Sequence, residues 1–326
     1  MKKVFIVILL FLISHTSFSW GFYAHKKINY QAIFLLPPEM MRLYKENIDF
    51  ISEHAVDPDK RRYALPEEGP RHYIDIDHYG KYPYTELPRK WNDAKEKFSE
   101  DTLMQYGIVP WWVQSMLLRL TDAFEEKNQT RILKLSAELG HYISDAHVPL
   151  HVCSNHNGQL TDQKGIHGFW ESRVPELLAE KNTPPGGWDF FIGKAEYIKN
   201  PGEFIWERVL ESAAASDTVL LFEKDLSNSF PTDQKFGFED RNGITIRQYS
   251  SAFSIAYDIK LNGMVERRMR QSIFAIASFW YTAWINAGQP DLKHLSNYEL
   301  SAEDLKEFEA LNSAWKNGRL KGREHE

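Results

Sequence analysis

Histidines and carboxylates recur along this chain at spacings that could gather them around metal ions. Of twelve histidines, nine lie between His25 and His167, and the last 159 residues hold only His294 and His325. A histidine taken singly is usually a surface or partly buried residue, so the weight falls on its spacing to other ligand types. In GHYISDAHVPLHV, His141 and Asp145 are four apart on an expected helix and project from one face, one turn apart. Pro149 ends that helix, because its ring clashes with the preceding turn, and the exit can fold His151 back beside Asp145. Two imidazoles and a carboxylate gathered in this way suit zinc. A buried His–Asp hydrogen bond in a helical core is the other reading. His147 is expected to support the ligands rather than to join them.

Three further segments supply the same residue types. In IHGFWES, His167 and Glu171 are again four apart, and Phe169 and Trp170 beside them could form a dry wall, where charge acts more strongly. A surface His–Glu pair is the alternative there. In HAVDPDKRR and PRHYIDIDHY, Asp57 and His72 are 15 apart. Asp59 and Asp77 in the same region are expected to be solvated, as charge-rich loops usually are. Tyr73 and Asp75, directly after His72, are expected to line a substrate pocket. The fourth segment is WGFYAH. If the chain is cut before Trp20, its α-amine and carbonyl can chelate a metal, and His25 lies near enough to join.

These residues need helices to position them. Val113, Leu117, Leu120 and Phe124 follow a helical period, as do Ile132, Leu135, Leu139 and Tyr142. Ile205, Val209 and Ala213 suggest another helix, and Ile273, Ile276, Trp280, Ala283 and Ala287 a long one stopped by Gly288 and Pro290. Ser301 and Asp304 read as a capping box before a last helix, with a frayed tail after Gly318. Only Tyr73–Tyr79 and the neighbourhood of Gly243–Ile246 look capable of short strands. No connector is long enough for a domain linker, so the expectation is a single all-α domain.

Composition narrows the function classes. At 326 residues and 43% apolar content the chain can bury a sizeable core. A formal net charge of −6 argues against non-specific binding to duplex nucleic acid. The lone Cys153 excludes an internal disulfide and a cysteine zinc knuckle. Residues 1–19 read as a signal peptide: Lys2 and Lys3 precede an apolar run from Val4 to Ile13, and Ser17 and Ser19 stand at −3 and −1 of a cleavage site. That run is too short for a bilayer span, and no later stretch offers one. A soluble exported protein, periplasmic or extracellular, is expected.

Together, Trp20, His25, Asp57, His72, His141, Asp145, His151, His167 and Glu171 form an ordered pattern that resembles the zinc-dependent phospholipase C and single-strand-specific zinc nuclease superfamily. The resemblance implies a secreted, all-α hydrolase with three zinc ions, its phosphodiesterase domain over 20–290, and a C-terminal helix and charged tail over 291–326. One zinc would be held by Asp57, His72, His141 and Asp145, a second by His151, His167 and Glu171, and a third by Trp20 and His25 with Asp145 bridging. It implies cleavage of phosphodiesters by zinc-bound hydroxide, with Asp57 and Asp145 as catalytic residues; no stable protein partner is implied. Two branches compete for the substrate. The WGFYAH spacing is nuclease-like, and Tyr73 with Asp75 could clamp a base of single-stranded nucleic acid. Glu171, the 16-residue step from His151 to His167 and the acidic net charge favour phospholipid. Other classes fit less well. A di-iron bundle needs two Glu-x-x-His motifs, and only Glu138–His141 is present. The H-E-x-x-H motif of a zincin is absent. A non-catalytic helical zinc protein would need closed four-ligand sites.

Processing gives the first prediction. Intact-mass measurement of the exported protein should show a chain beginning at Trp20 with a free amine; another start would remove that amine from any metal site.

Overall fold

Proline at helix starts, polar caps and apolar stripes divide the described residues of this chain into a mostly helical structure with one two-stranded sheet. The computed structural model describes residues 21–180, 187–241, 243–295 and 301–321. The expected signal peptide and Trp20 lie outside the described residues. Four helices open the described chain: α1 (Phe22–Ala32), α2 (Pro38–Glu46), α3 (Ile48–Glu53) and α4 (Asp57–Arg61). Tight 3-10 turns at Pro66–His72 and Ile76–Tyr79 lead to α5 (Trp91–Phe98) and α6 (Glu100–Tyr106). Then come the paired helices α7 (Val109–Glu125) and α8 (Gln129–Ala146), and a 3-10 turn at Pro149–Val152. A helical run follows as α9 (Ile166–Gly168), a wider π-wound turn at Phe169–Arg173, and α10 (Val174–Leu178). The remainder is α11 (Pro201–Ser229), β1 (Phe236–Arg241), β2 (Ile244–Tyr249), α12 (Ser251–Lys260), α13 (Met264–Asn286) and α14 (Ala302–Asn317). No described helix is long and apolar enough to cross a membrane.

Helix α13 lies at the centre, against α1, α7 and α8. Its Trp280 is fully buried and donates Nε1–H to Ser136 O at 3.0 Å, while the Ser136 hydroxyl meets Tyr44 Oη at 2.7 Å. Burying a ring while satisfying its polar atom keeps the apolar gain without a desolvation cost. Helices α1 and α8 approach closely at Gly140. A Cβ there would stand 2.1 Å from Asn29 Oδ1, so only glycine permits the crossing. Asn29 spans the crossing, donating Nδ2–H to Ile51 O and Ala137 O. This contact sets the distance between His25 on α1 and His141 on α8.

Three expectations need correction. The Tyr73–Tyr79 stretch is not a strand. Ile74 N–H donates to His151 O and Asp75 N–H to Tyr106 O, so its donors go to two separate segments and no ladder forms. The strand near Gly243 is present as β2, but its partner β1 was not foreseen, because glycine and acidic residues interrupt its alternation. Gly243, at φ 79°, supplies the left-handed conformation that this hairpin turn requires. The tail after Gly318 is not frayed as far as Lys321. Lys321 N–H donates to Arg62 O at 3.1 Å and its ammonium to Ala64 O at 2.9 Å. With α14 packed on α4, the C-terminal element belongs to the same body as the helices before it.

Asp258 on α12 is a polar misfit. Its Oδ1 is buried without a hydrogen-bond partner among the described residues. Burial, and then Glu266, push its carboxyl up to about 6, against the pull of Arg267. A carboxyl whose pKa is raised by folding stabilises the fold only while protonated. That contribution is present below its ordinary value and is lost as pH rises through about 6. Asp258→Asn should therefore raise the melting temperature near neutral pH, and the gain should vanish toward pH ~4. An equal gain at both pH values would refute this account.

Candidate metal centre

Helix α8 supplies the centre's middle, since the stripe that buries it in the core also points His141 and Asp145 inward. Both are fully buried. His25 comes from the start of α1, and its ring stacks on His141 at 3.9 Å. The turn at Pro149–Val152 returns His151, and α9 with the π-wound turn brings His167 and Glu171. Pro66–His72 delivers His72, and α4 delivers Asp59. Among the described residues, three buried groups could hold metal ions: His25, His141 and Asp145; Asp59, His72 and His141; and His151, His167 and Glu171.

The separations match a shared coordination shell. His72 Nδ1 lies 3.0 Å from both His141 Nε2 and Asp145 Oδ2. His141 Nε2 to Asp145 Oδ2 is 3.3 Å, and Asp59 Oδ1 lies 3.7 and 3.6 Å from His72 Nδ1 and His141 Nε2. A tetrahedral ion with bonds of about 2.0–2.1 Å separates its ligand atoms by about 3.3 Å. Asp145 Oδ1 faces the other way, 3.4 Å from His25 Nε2 and 3.8 Å from His151 Nε2. Glu171 Oε2 stands 3.3 Å from His151 Nε2 and 3.1 Å from His167 Nε2. One carboxylate thus faces three sets of imidazoles.

Backbone carbonyls orient the rings. His141 Nδ1–H donates to Ala55 O at 2.8 Å, His151 Nδ1–H to His72 O at 2.7 Å, and His167 Nδ1–H to His156 O at 2.9 Å. A carbonyl only accepts, so each Nδ1 must carry hydrogen and each Nε2 is the nitrogen that could bind a metal. Such bracing is characteristic of metal-binding histidines. Both Asp59 oxygens and Asp145 Oδ1 are buried without hydrogen-bond partners among the described residues. Arg62 Nη1 stands 3.9 Å from Asp59 Oδ1 and supplies part of the compensating charge; a cation among these oxygens would supply more.

Electrostatics point the same way. Burial alone would lower the His141 imidazole, but Asp145 and Asp59 outweigh it and hold the pKa up at about 9. Burial, then His141, drives His25 well below its ordinary value. Burial opposes ionisation of Asp145, yet His141 and His151 hold it well below the usual carboxylate range. Burial lifts Glu171 to about 7, against the pull of His151. A metal must displace the protons on His141 and Glu171, so its affinity falls as pH falls.

The structure brings His25, His72, His141, Asp145, His151, His167 and Glu171 together, but it turns Asp57 aside. Asp57 Oδ2 meets His54 Nδ1 at 2.5 Å, and Oδ1 accepts from Lys60 Nζ at 3.0 Å. The expectation for Asp57 is therefore corrected to Asp59. Both stand on the short helix α4, and two residues of helical turn point them in different directions. Asp59 is 4% exposed, not solvated as expected. Trp20 lies outside the described residues. Next to it, Gly21 N–H donates to Ser172 Oγ at 2.8 Å, beside Glu171.

Tyr73 is buried and donates its hydroxyl to Gln105 O, with its carbonyl and ring edge tight under Gly107. Asp75 is half-buried and contributes, after burial, to raising the Tyr79 phenol. Phe169 stacks on Tyr249 at 3.8 Å and is a packing residue. His147 is fully buried and donates Nδ1–H to Ile143 O, outside the three groups. Glu138 is taken by Arg61, which removes the carboxylate that a Glu-x-x-His motif needs.

Two residues escaped the sequence reading, Asp59 and Glu68. Glu68 is fully buried, its Oε1 is 3.5 Å from His72 Nε2, and it accepts from Tyr142 Oη. Its position four before His72 in PEEGPRH was the available signal. Against known proteins, no family model matches the chain and no curated relative is found.

Substitution should separate the neighbouring carboxylates. Metal analysis should find about one ion fewer per chain in Asp59→Asn, and no loss in Asp57→Asn. Asp145→Asn should damage more than one site, and His151→Ala should cost more metal than His147→Ala. Metal lost from Asp57→Asn but kept in Asp59→Asn would reverse the assignment.

Proposed function

We propose that this protein is an exported, zinc-dependent hydrolase of phosphodiester bonds, with the fold and chemistry of the zinc phospholipase C and nuclease superfamily and a preference for phospholipid. The observation that carries the reading is the sharing of Asp145 between the Asp59–His72–His141 set and the imidazoles of His25 and His151. Imidazole and carboxylate without thiolate suit zinc among several first-row metals, and the ordered ligand pattern selects it. The first set offers four protein ligands, whereas His151, His167 and Glu171 offer three, which leaves a position for substrate or water.

Zinc, when bound there, supplies Lewis acidity that neutralises phosphoryl oxygens and acidifies water. The chain's own residues do the positioning. Asp145 uses its two oxygens to hold neighbouring charges close together. Ala55, His72 and His156 carbonyls fix the rings through Nδ1, so the ligand atoms do not reorganise during reaction. Trp170, fully buried beside Glu171, keeps water from that wall and strengthens each charge interaction. Asp59 takes the role of ligand and water-orienting carboxylate that the sequence pattern gave to Asp57.

Single-strand nuclease or 3'-nucleotidase activity is the second reading, favoured by the WGFYAH spacing. Its base clamp needs an accessible Tyr73, and that ring is 5% exposed. A closed, non-catalytic zinc protein is disfavoured by the three-ligand group.

The test joins metal and activity. Mature protein should contain three zinc ions, hydrolyse a chromogenic phosphodiester, and lose zinc and activity together at acid pH as the histidines protonate. It should release diacylglycerol from dispersed phosphatidylcholine and leave single-stranded RNA intact. RNA cleavage without diacylglycerol would select the nuclease reading, and one zinc or fewer without hydrolysis would defeat both.

A further inference from the structure

Glu171 stands on the π-wound turn Phe169–Arg173, between α9 and α10. The cause of the widening is local. Pro175 has no N–H to donate to Glu171 O, four residues earlier, and its ring crowds that carbonyl. The chain closes a longer ring instead, in which Val174 N–H donates to Phe169 O, five residues back. Residues four apart on an α-helix are about 40° out of line. A wider turn closes part of that gap and brings Glu171 more nearly over His167. A single oxygen, Glu171 Oε2, thereby reaches His167 Nε2 at 3.1 Å and His151 Nε2 at 3.3 Å.

A π-wound turn is rare, so it needs a support outside itself. The hairpin β1–β2 grips it at both ends. Tyr249 stacks its ring on Phe169 at 3.8 Å, and its carbonyl accepts Arg173 Nε–H at 3.1 Å. The first and last residues of the turn thus meet the same residue of β2. On β1, Glu239 accepts from both terminal nitrogens of Arg173, a two-pronged contact that fixes the plane of the guanidinium. Arg173 itself is buried. The base of the hairpin is anchored in turn. Lys235, just before β1, places Nζ 2.9 Å from the buried Glu223 Oε1 and close to the rings of Phe236, Tyr249 and Phe253. Glu223 Oε2 accepts from Gln163 Nε2 at 2.6 Å, in the loop that leads to His167. One carboxylate on α11 therefore ties the hairpin to that loop.

We propose that Pro175, Arg173 and Glu239 are positioning residues for Glu171. The proline widens the turn, the hairpin holds it wide, and together they aim one carboxylate oxygen at two imidazoles. The proposal rests on the reading of His151, His167 and Glu171 as a metal group.

The test pairs two measurements on the full chain: zinc affinity by competition with a chelator, and amide hydrogen exchange over residues 169–176 of the metal-free protein. Glu239→Gln, at a side chain 42% exposed, should speed that exchange about threefold to fivefold and weaken one zinc about tenfold. Arg173→Lys keeps the charge but loses the fork, and should do the same. Pro175→Ala restores the missing N–H and lets the turn wind as α-helix. It should slow the exchange, yet also weaken one zinc about tenfold. Zinc affinity then falls in both directions of local stability, which a merely structural role would not produce. Zinc affinity that is unchanged in Glu239→Gln and Pro175→Ala, or that rises in Pro175→Ala as exchange slows, would overturn the proposal. Glu171→Gln is the reference and should lose the same ion. If it loses that ion and the other variants do not, only the positioning fails; if it keeps every zinc, the metal reading of the group fails and takes the proposal with it.

Discussion

The constraint on which the rest depends is the fully buried carboxylate of Asp145. A charge in that position is costly unless opposite charge and donors surround it. Here His25, His72, His141 and His151 all lie within 3.8 Å of its oxygens. Four imidazoles can be brought to one carboxylate only if separate chain segments converge on α8. The fold is therefore organised as much by the polar centre as by the apolar core around α13.

That convergence is held by devices that have no metal in them. Gly140 lets α1 approach α8, and Asn29 ties the crossing to Ile51 and Ala137. The carbonyls of Ala55, His72 and His156 come from three different segments and fix three rings. Glu68, held by Arg61, Arg71 and Tyr142, backs His72. Burial opposes its ionisation, but His72 and Arg61 hold it well below the usual carboxylate range. Each device fixes an angle or a tautomer rather than adding a ligand, and a metal site gains affinity from such preorganisation. The packing of α14 on α4 extends this outward, since α4 carries Asp59.

Helical character was legible in the sequence because apolar period and capping are local: α7, α8, α11, α13 and the Ser301–Asp304 capping box all follow from residues a few positions apart. So were the candidate ligand pairs His141–Asp145 and His167–Glu171, because a spacing of four fixes their common face on a helix. The choice between Asp57 and Asp59 was not legible. It depends on how the five-residue helix α4 rolls against α8 and α14, and the local sequence DPD presents two equivalent carboxylates. The burial of Tyr73, the capture of Glu138 by Arg61 and the role of Glu68 likewise depend on partners 32, 77 and 74 residues away. Sequence determined which residue types lie on which helical face. Tertiary structure decided which of them meet, because distances between segments are set by packing and by close approaches such as Gly140 on Asn29, not by spacing along the chain.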